Sequence, residues 1–288
     1  MSLVRIYTTS STSPAVSLYG DAGDYEMILR YLDGWYSTPD AKVKLTERAS
    51  GDGAHDVAES DIIYGTRTIV VGYRILTDSR TRLLAHESSL LSLTHQQVRF
   101  RVTDDDSDLF ASGYVDSVVK DKSQQNLAKQ TETGTLTIIC PRPERLSWSP
   151  LQTQLFPVSV MQGGLRYNSG KGLKYPLNYG TAGSASNVAL LINQGSSKAY
   201  PVLTVTGSFP NGVQIQWGGN ALQYDGAIGA VPLILDSRSQ TASMGGVDVS
   251  RNLSRRDFPV VPANGSVSLR LMSAGTGWVT AVCRDTYI

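Results

Sequence analysis

Three histidines, two cysteines and a run of aspartates are the residues of this 288-residue chain most able to do chemistry. A histidine can carry protons near neutral pH or ligate a metal. His55, His86 and His95 all lie in the first half, and the spacing of the last two does not put them on one metal-binding face. Cys140 and Cys283 are far apart, each in an apolar run, with no CxxC pair to build a zinc site, so both read as buried free thiols. Asp104, Asp106 and Asp108 mimic the start of a calcium loop. Such a loop needs glycine at its sixth position and an acid at its twelfth, where this chain has Leu109 and Val115, so a solvated hairpin tip is expected. No HExxH, GxSxG, P-loop or dinucleotide-binding glycine motif occurs. The expectation is a protein that is not an enzyme, with no catalytic, metal or cofactor residues to assign.

Binding residues are the next possibility. Arg251, Arg255 and Arg256 cluster, but the net charge is only +1, which does not fit a protein that grips nucleic acid through its phosphates. The arginines read as solvated. Trp217, Tyr224 and Trp278 are candidates to stack on sugar rings. Trp217 shares the phase of Val213 and Ile215, which points it at a core, whereas Tyr224 precedes the turn Asp225-Gly226 and is expected to be exposed. The stretch NQGSSKAYPVLTVTG, 193–207, reads as a polar turn before a strand, with nothing in it that demands a ligand.

The elements that must position these residues are mostly strands. Apolar residues make up 41% and charged residues 18%, with 27 glycines, a balance that favours an all-β protein with many turns. A helix is expected near 79–96, capped by Asp78 or Ser79, with Leu83, Leu84, Leu90 and Leu91 forming the stripe that lies on a sheet and Glu87 off that line. Gly72 inside the apolar run 67–75 suggests a bulge or a close backbone approach. Residues 23–36 fit strand and helix equally well. Pro141 and Pro143 end a β-branched run, and two domains are expected, 1–146 and 147–288. In the second, GVQIQW and GSVSLRL alternate between a core face and a polar face, the mark of antiparallel sheets packed as a sandwich. The N-terminus lacks a leader pattern and no run approaches a membrane span, so no membrane insertion and assembly in a reducing cytosol are expected.

The order of the pieces resembles one family. GGLRY (163–167), LKYPLNYG (173–180), NQGSSKAYPVLTVTG, PNGVQIQW, LILDSRSQTASMGG and FPVVPANGSVSLRL follow one another as in the C-terminal sandwich of siphophage distal tail proteins. LDGWYSTPDAKV, the DGAHD loop, GTRTIVVGYRI, RFRVTDDDSDLFASGYVDSV and TLTIICPRPERLSW resemble that family's N-terminal domain and its exit. The resemblance implies a tail-tube-like N-terminal β-sandwich with one helix and a galectin-like or carbohydrate-module-like C-terminal sandwich. It also implies strand for 23–36. The implied function is a structural virion protein of a long non-contractile tail. Its hexameric ring would join the tail tube protein to the tail-tip hub protein around the DNA channel, with the tape measure protein a further candidate partner. The alternative is a host-surface carbohydrate-binding tail protein.

Overall fold

The computed structural model describes residues 2–9, 11–20, 25–58, 61–121, 131–157 and 186–288. The motifs at 163–167 and 173–180 lie outside the described residues. The chain divides into two compact units, Met1–Ser149 with Tyr287–Ile288, and Pro150–Thr286. Both are built mainly of strands.

The first unit contains β1 (Leu3–Thr8), β2 (Val16–Tyr19), β3 (Met27–Asp33), β4 (Arg67–Leu76), α1 (Arg80–Leu91), β5 (Gln97–Asp104), β6 (Ser107–Lys120), β7 (Thr131–Cys140) and β8 (Arg145–Ser147). Strands β6-β5-β1-β2-β3-β4-β7 lie side by side, and β7 pairs again with β6. The expected sandwich is therefore a closed seven-stranded barrel. The reason is the length of β6. Its first half pairs with β5, a register shift falls between Val115 and Ser117, and its second half turns onto β7. A bulge bends a strand in this way and lets a sheet close on itself. Val4, Ile6, Leu18, Ile69, Val71, Ile75, Val98, Phe100, Leu136 and Ile138 fill the interior. Residues 27–33 form a strand, as the resemblance implied. Gly72 is a close approach: a Cβ there would stand 2.2 Å from the Tyr31 ring, beside the register shift between Leu29 and Tyr31.

The helix is shorter than expected. Ser79 caps it, accepting from the Arg82 N–H, and it runs only to Leu91, after which His95 at φ 59° turns the chain into β5. The leucine stripe is corrected. Leu83 and Leu90 are buried, but Leu84 and Leu91 are 47% and 50% exposed. The inward face is Leu83, Glu87 and Leu90, extended by Leu93 beyond the helix end. That spacing of four and three follows the helical repeat, and it requires a carboxylate in the middle of the face.

The second unit contains β9 (Leu151–Leu155), β10 (Val188–Asn193), β11 (Val202–Ser208), β12 (Val213–Trp217), β13 (Asn220–Tyr224), β14 (Leu233–Asp236), β15 (Thr241–Met244), β16 (Val247–Asp248), β17 (Leu253–Arg256), β18 (Gly265–Leu271) and β19 (Thr276–Cys283). The last short strand, β20 (Thr286–Tyr287), pairs with β8 in the sheet of the first unit, to which Tyr287 and Ile288 belong. One sheet runs β10-β18-β12-β13-β17 and the other β16-β15-β14-β11-β19-β9. Leu191, Leu203, Val205, Ile215, Leu222, Leu235, Leu269 and Val279 from both sheets share one core. The alternation read in β12 and β18 is the one observed, with Ile215, Leu269 and Leu271 inward and Ser268 and Arg270 outward.

The turn at 193–198 is structural. Asn193 is buried, and its side-chain amide donates to the carbonyls of Ser197 and Pro262, at 2.7 and 3.0 Å. Its side-chain oxygen accepts from the Gly195 and Thr286 N–H groups, at 3.0 and 3.1 Å. One carboxamide thus ties three separate chain segments, and a Cβ at Gly195 would meet the Thr286 carbonyl at 2.0 Å. The polar half of NQGSSKAYPVLTVTG is the corner that sets the following strand.

Candidate functional site

After β3 the chain leaves the barrel through Gly34-Trp35. Gly34 takes φ +77° with its α-carbon against the Thr68 carbonyl, where any side chain would clash. Trp35 is buried, edge-on to Phe100 at 5.5 Å between centroids. Arg67, the first residue of β4, is fully buried beside them. Its Nη1 donates to the carbonyls of Gly34, Trp35 and Ser37, at 2.6, 3.2 and 2.6 Å, and its Nε to that of Pro143 at 2.9 Å. Arg145 adds Nη1 to Trp35 O at 3.0 Å and Nη2 to Ile288 O at 2.8 Å. Burial, with Arg145 nearby, lowers Arg67 to about 10, which leaves it charged at neutral pH. A guanidinium is suited to this role because its donors fan out in one plane.

That cluster roots an arm. From Tyr36 to Thr66 not one described residue is buried. The arm is a ribbon, closed by Lys42 N–H to Ile63 O at 2.7 Å and Gly65 N–H to Asp40 O at 2.8 Å. Farther out it is held by His55 N–H to Thr46 O at 2.9 Å, with Gly51 and Gly53 at the open tip. Leu45, Ile62 and Ile63 are exposed along it, Leu45 by 62%. A two-stranded ribbon is at best marginal in water, and a loop this long without a core of its own is usually functional. Its exposed apolar side chains suit a partner surface. His55 sits on this arm, far in sequence from the helix.

Polar contacts also hold α1. Glu26 receives Arg82 Nη2 at 2.8 Å and faces His86 Nε2 at 2.6 Å. On the inward face, Lys120 Nζ lies 2.6 Å from Glu87 and 3.5 Å from Glu132. Both carboxylates are buried, with the Tyr73 hydroxyl near them. Burial, then the hydrogen bond with Glu87 and the Glu87 charge, raises Glu132 to about 7. Burial opposes the Glu87 charge too, but hydrogen bonds from Glu132 and Lys120 outweigh it and lower its pKa. Burial and the two carboxylates raise the Tyr73 hydroxyl. His86 therefore joins this helix anchor and is not brought together with His55 or His95.

The aspartates do not converge. Asp108 takes a two-pronged bond from Arg101, at 2.7 Å on each side, so it is not part of a solvated tip. Asp104 accepts from the Ser2 hydroxyl at 3.0 Å and the Tyr36 hydroxyl at 2.9 Å. Arg101 lies 4.2 Å from the Trp148 ring, which also stacks on Tyr7. Cys140 and Cys283 are both buried thiols, and burial raises each to about 11.

The sugar-stacking candidates are corrected. Tyr224 is buried in the core of the second unit, where its hydroxyl accepts from Asn252 at 3.3 Å, so it offers no stacking face. Phase places it there: it shares the inward side with Leu222 of β13. Trp217 is only half-buried, because it ends β12, where the core runs out. It packs against that core and lines a depression of about 510 Å³ with Gln216, Gly218, Asn220, Arg255 and Arg270. Of the arginines grouped by sequence, only Arg255 lies there; Arg251 borders a different hollow. Arg67, Glu132 and Arg270 were not singled out from the sequence, and Glu87, expected off the apolar line of the helix, faces inward instead. The only signal for Arg67 and Glu132 was a charge in an otherwise apolar run.

No family model and no curated protein matches the sequence. Solved structures do match the fold. The SPP1 Dit protein, described as a paradigm of the hub adsorption apparatus in phages infecting Gram-positive bacteria, aligns with TM-score 0.61 at 13% identity, over 99% of both chains. A chain of the phage p2 baseplate in its activated conformation with Sr aligns with TM-score 0.56 at 9% identity, over 99% of this chain and 98% of that one. The same baseplate with Ca gives the same values. The chain has the fold of phage hub and baseplate proteins over nearly its whole length, in keeping with the family that the order of its motifs resembled.

Proposed function

We propose that the protein is a structural component of a long non-contractile phage tail, located at the virion tail tip. A hexameric ring of its N-terminal units joins the tail tube protein to the tail-tip hub protein around the DNA channel, and the tape measure protein is a further candidate contact. In this reading the barrel is the tail-tube-like domain, and the two sheets of the second unit form a galectin-like sandwich. One observation carries the ring: the arm at 36–66 is rooted by a buried arginine, yet none of its described residues is buried. An element so firmly anchored and so poorly covered fits a contact with a neighbouring subunit. A ring requires such a contact between two different faces of the same chain.

The test is the full chain under negative-stain electron microscopy and light scattering, alone and with the tube protein. Closed rings are expected in at least one condition. Replacing residues 41–64 by a short Gly-Ser linker is expected to abolish them without unfolding the barrel. A full chain that never exceeds a dimer in either condition overturns the reading. Recognition of host-surface carbohydrate is a second reading, favoured by the half-exposed Trp217 at the rim of the depression.

A further inference from the structure

The depression beside Trp217 has a definite chemistry. Strand β12 ends at Trp217, and the turn Gly218-Gly219 leads into Asn220 of β13. Both glycines have positive φ, 47° and 89°, the backbone that a two-residue hairpin with the twist of the sheet demands. A Cβ at either would meet nothing within 4 Å, so the backbone here is bare and open to close approach. Next to it the outer face of the sheet carries a polar row. Gln216 of β12 is paired with Arg270 of β18, and Ser268 lies two residues along. Arg255 of β17 enters from the far side.

The two arginines decide the ligand class. Arg270 is exposed, and its side chain makes no hydrogen bond or ion pair among the described residues. Arg255 has only a long contact to Asp257, at 3.9 Å, with both side chains half in solvent. Among the described residues the lining holds two arginines and no carboxylate; the nearest acid, Asp257, sits at its edge, accepting from the Ala221 N–H at 3.1 Å, and offsets part of the Arg255 charge but none of Arg270's. The rest of the lining is neutral: an indole edge, two amides, a hydroxyl and the small aliphatic groups of Val188 and Ala221 beside the two glycines. Indole and amides suit a sugar ring, and free guanidinium groups suit an anionic oxygen, which they bind with paired donors.

We propose that this depression binds an anionic polysaccharide, its sugar ring against Trp217 and its phosphate or carboxylate between Arg255 and Arg270. The proposal rests on the carbohydrate reading and narrows it to acidic glycans. It does not depend on ring formation.

The test uses the full chain and four probes of similar length: poly(glycerol phosphate), polygalacturonate, neutral dextran and a single-stranded oligonucleotide. Binding is followed by tryptophan fluorescence and calorimetry. Saturable binding is expected to one or both acidic glycans, weaker in high salt. Preference between these two probes tells phosphate from carboxylate. Arg270→Gln is expected to weaken binding about tenfold or more, as loss of a charge-assisted contact does. Its melting temperature should be unchanged, because the Arg270 side chain holds no partner among the described residues and the strand backbone is kept. Arg255→Gln should act in the same direction, and Trp217→Phe should lower affinity for the glycan. Three results overturn the proposal: no binding to either acidic glycan, equal binding to dextran, or oligonucleotide binding as tight as the glycan's. The first two, with rings still seen, leave the tail-ring function standing. Dextran binding lost in Trp217→Phe but kept in Arg270→Gln would return the site to a neutral-sugar reading.

Discussion

The two units treat charge in opposite ways. Among the described residues, the first buries Arg67, Glu87 and Glu132, whereas the buried polar residues of the second are the uncharged Asn193, Ser237 and Thr286. In the first unit, each buried charge sits where something leaves the barrel or lies on it. Arg67 roots the arm, and Glu87 and Glu132 hold the helix. The second unit sends its arginines to an outer face and closes its core with leucine, valine and one saturated carboxamide. A barrel that must present appendages needs directional anchors, since apolar packing alone does not fix an angle. A self-contained pair of sheets does not need them.

Removing the strongest anchor should break that contrast most. Arg67→Met strands four carbonyls at the arm's root, and unfolding of the first unit is expected to lose about 4 kcal/mol. Denaturant titration followed by tryptophan fluorescence checks it, and an unshifted transition would mean the arm carries its own weight. The helix face comes next. Leu83→Ala should cost about 3 kcal/mol by leaving a cavity, whereas the exposed Leu91→Ala should stay within about 0.5 kcal/mol. Equal effects in thermal melts would contradict the Leu83–Glu87–Leu90 face.

In the second unit, Asn193→Ala should cost about 2 kcal/mol, because the four backbone groups it satisfies are left to water or to nothing. Hydrogen exchange at Gly195 and Thr286 should quicken while β12 and β13 stay protected.

The smallest effect concerns pH. Glu132 binds its proton more tightly folded than unfolded. Its contribution is complete below about 4.5, the ordinary glutamate value, and is lost as pH rises through about 7. Glu87 has the opposite sign, losing its contribution only as pH falls through its lowered pKa, below that window. With Lys120, Tyr73 and Arg80 the other groups acting on the pair, the first unit should melt at a lower temperature at pH 8 than at pH 5. Glu132→Gln should flatten that slope. A slope that the substitution leaves intact would place the titrating group elsewhere.

Local features were legible in the sequence where one rule applied to neighbouring residues. The alternation of β12 and β18 and the Ser79 cap depend on positions close in the chain, and a glycine inside an apolar run flags the tight spot at Gly72 although the Tyr31 ring that fills it is distant in sequence. The helix face was not legible, because Leu83-Leu84 and Leu90-Leu91 are adjacent pairs and either member of each can face inward. The phase is set by admitting Glu87 to the core, and that is favourable only because Lys120 arrives from a strand far along the chain. Barrel closure failed for the same reason: β6 pairs with strands on both sides of it in the fold. Around Trp217 the phase was right and the depth was not, since alternation says which way a side chain points but not where the core ends. Arg270 looked like an ordinary outward residue of β18, and its role depends on Arg255 and Trp217, which come from other strands.

The thiols give each unit its own clock. Cys140 lies in the barrel core and Cys283 in the core between the two sheets, and neither is exposed in the native state. At neutral pH a reagent must wait for a core to open before it meets a thiolate. The rate at which each cysteine is modified therefore times the opening of the unit that contains it, in the unaltered chain and without an added label. Subunit assembly that covers the arm should slow the Cys140 clock, while a ligand on the outer face of the second unit should slow only that of Cys283.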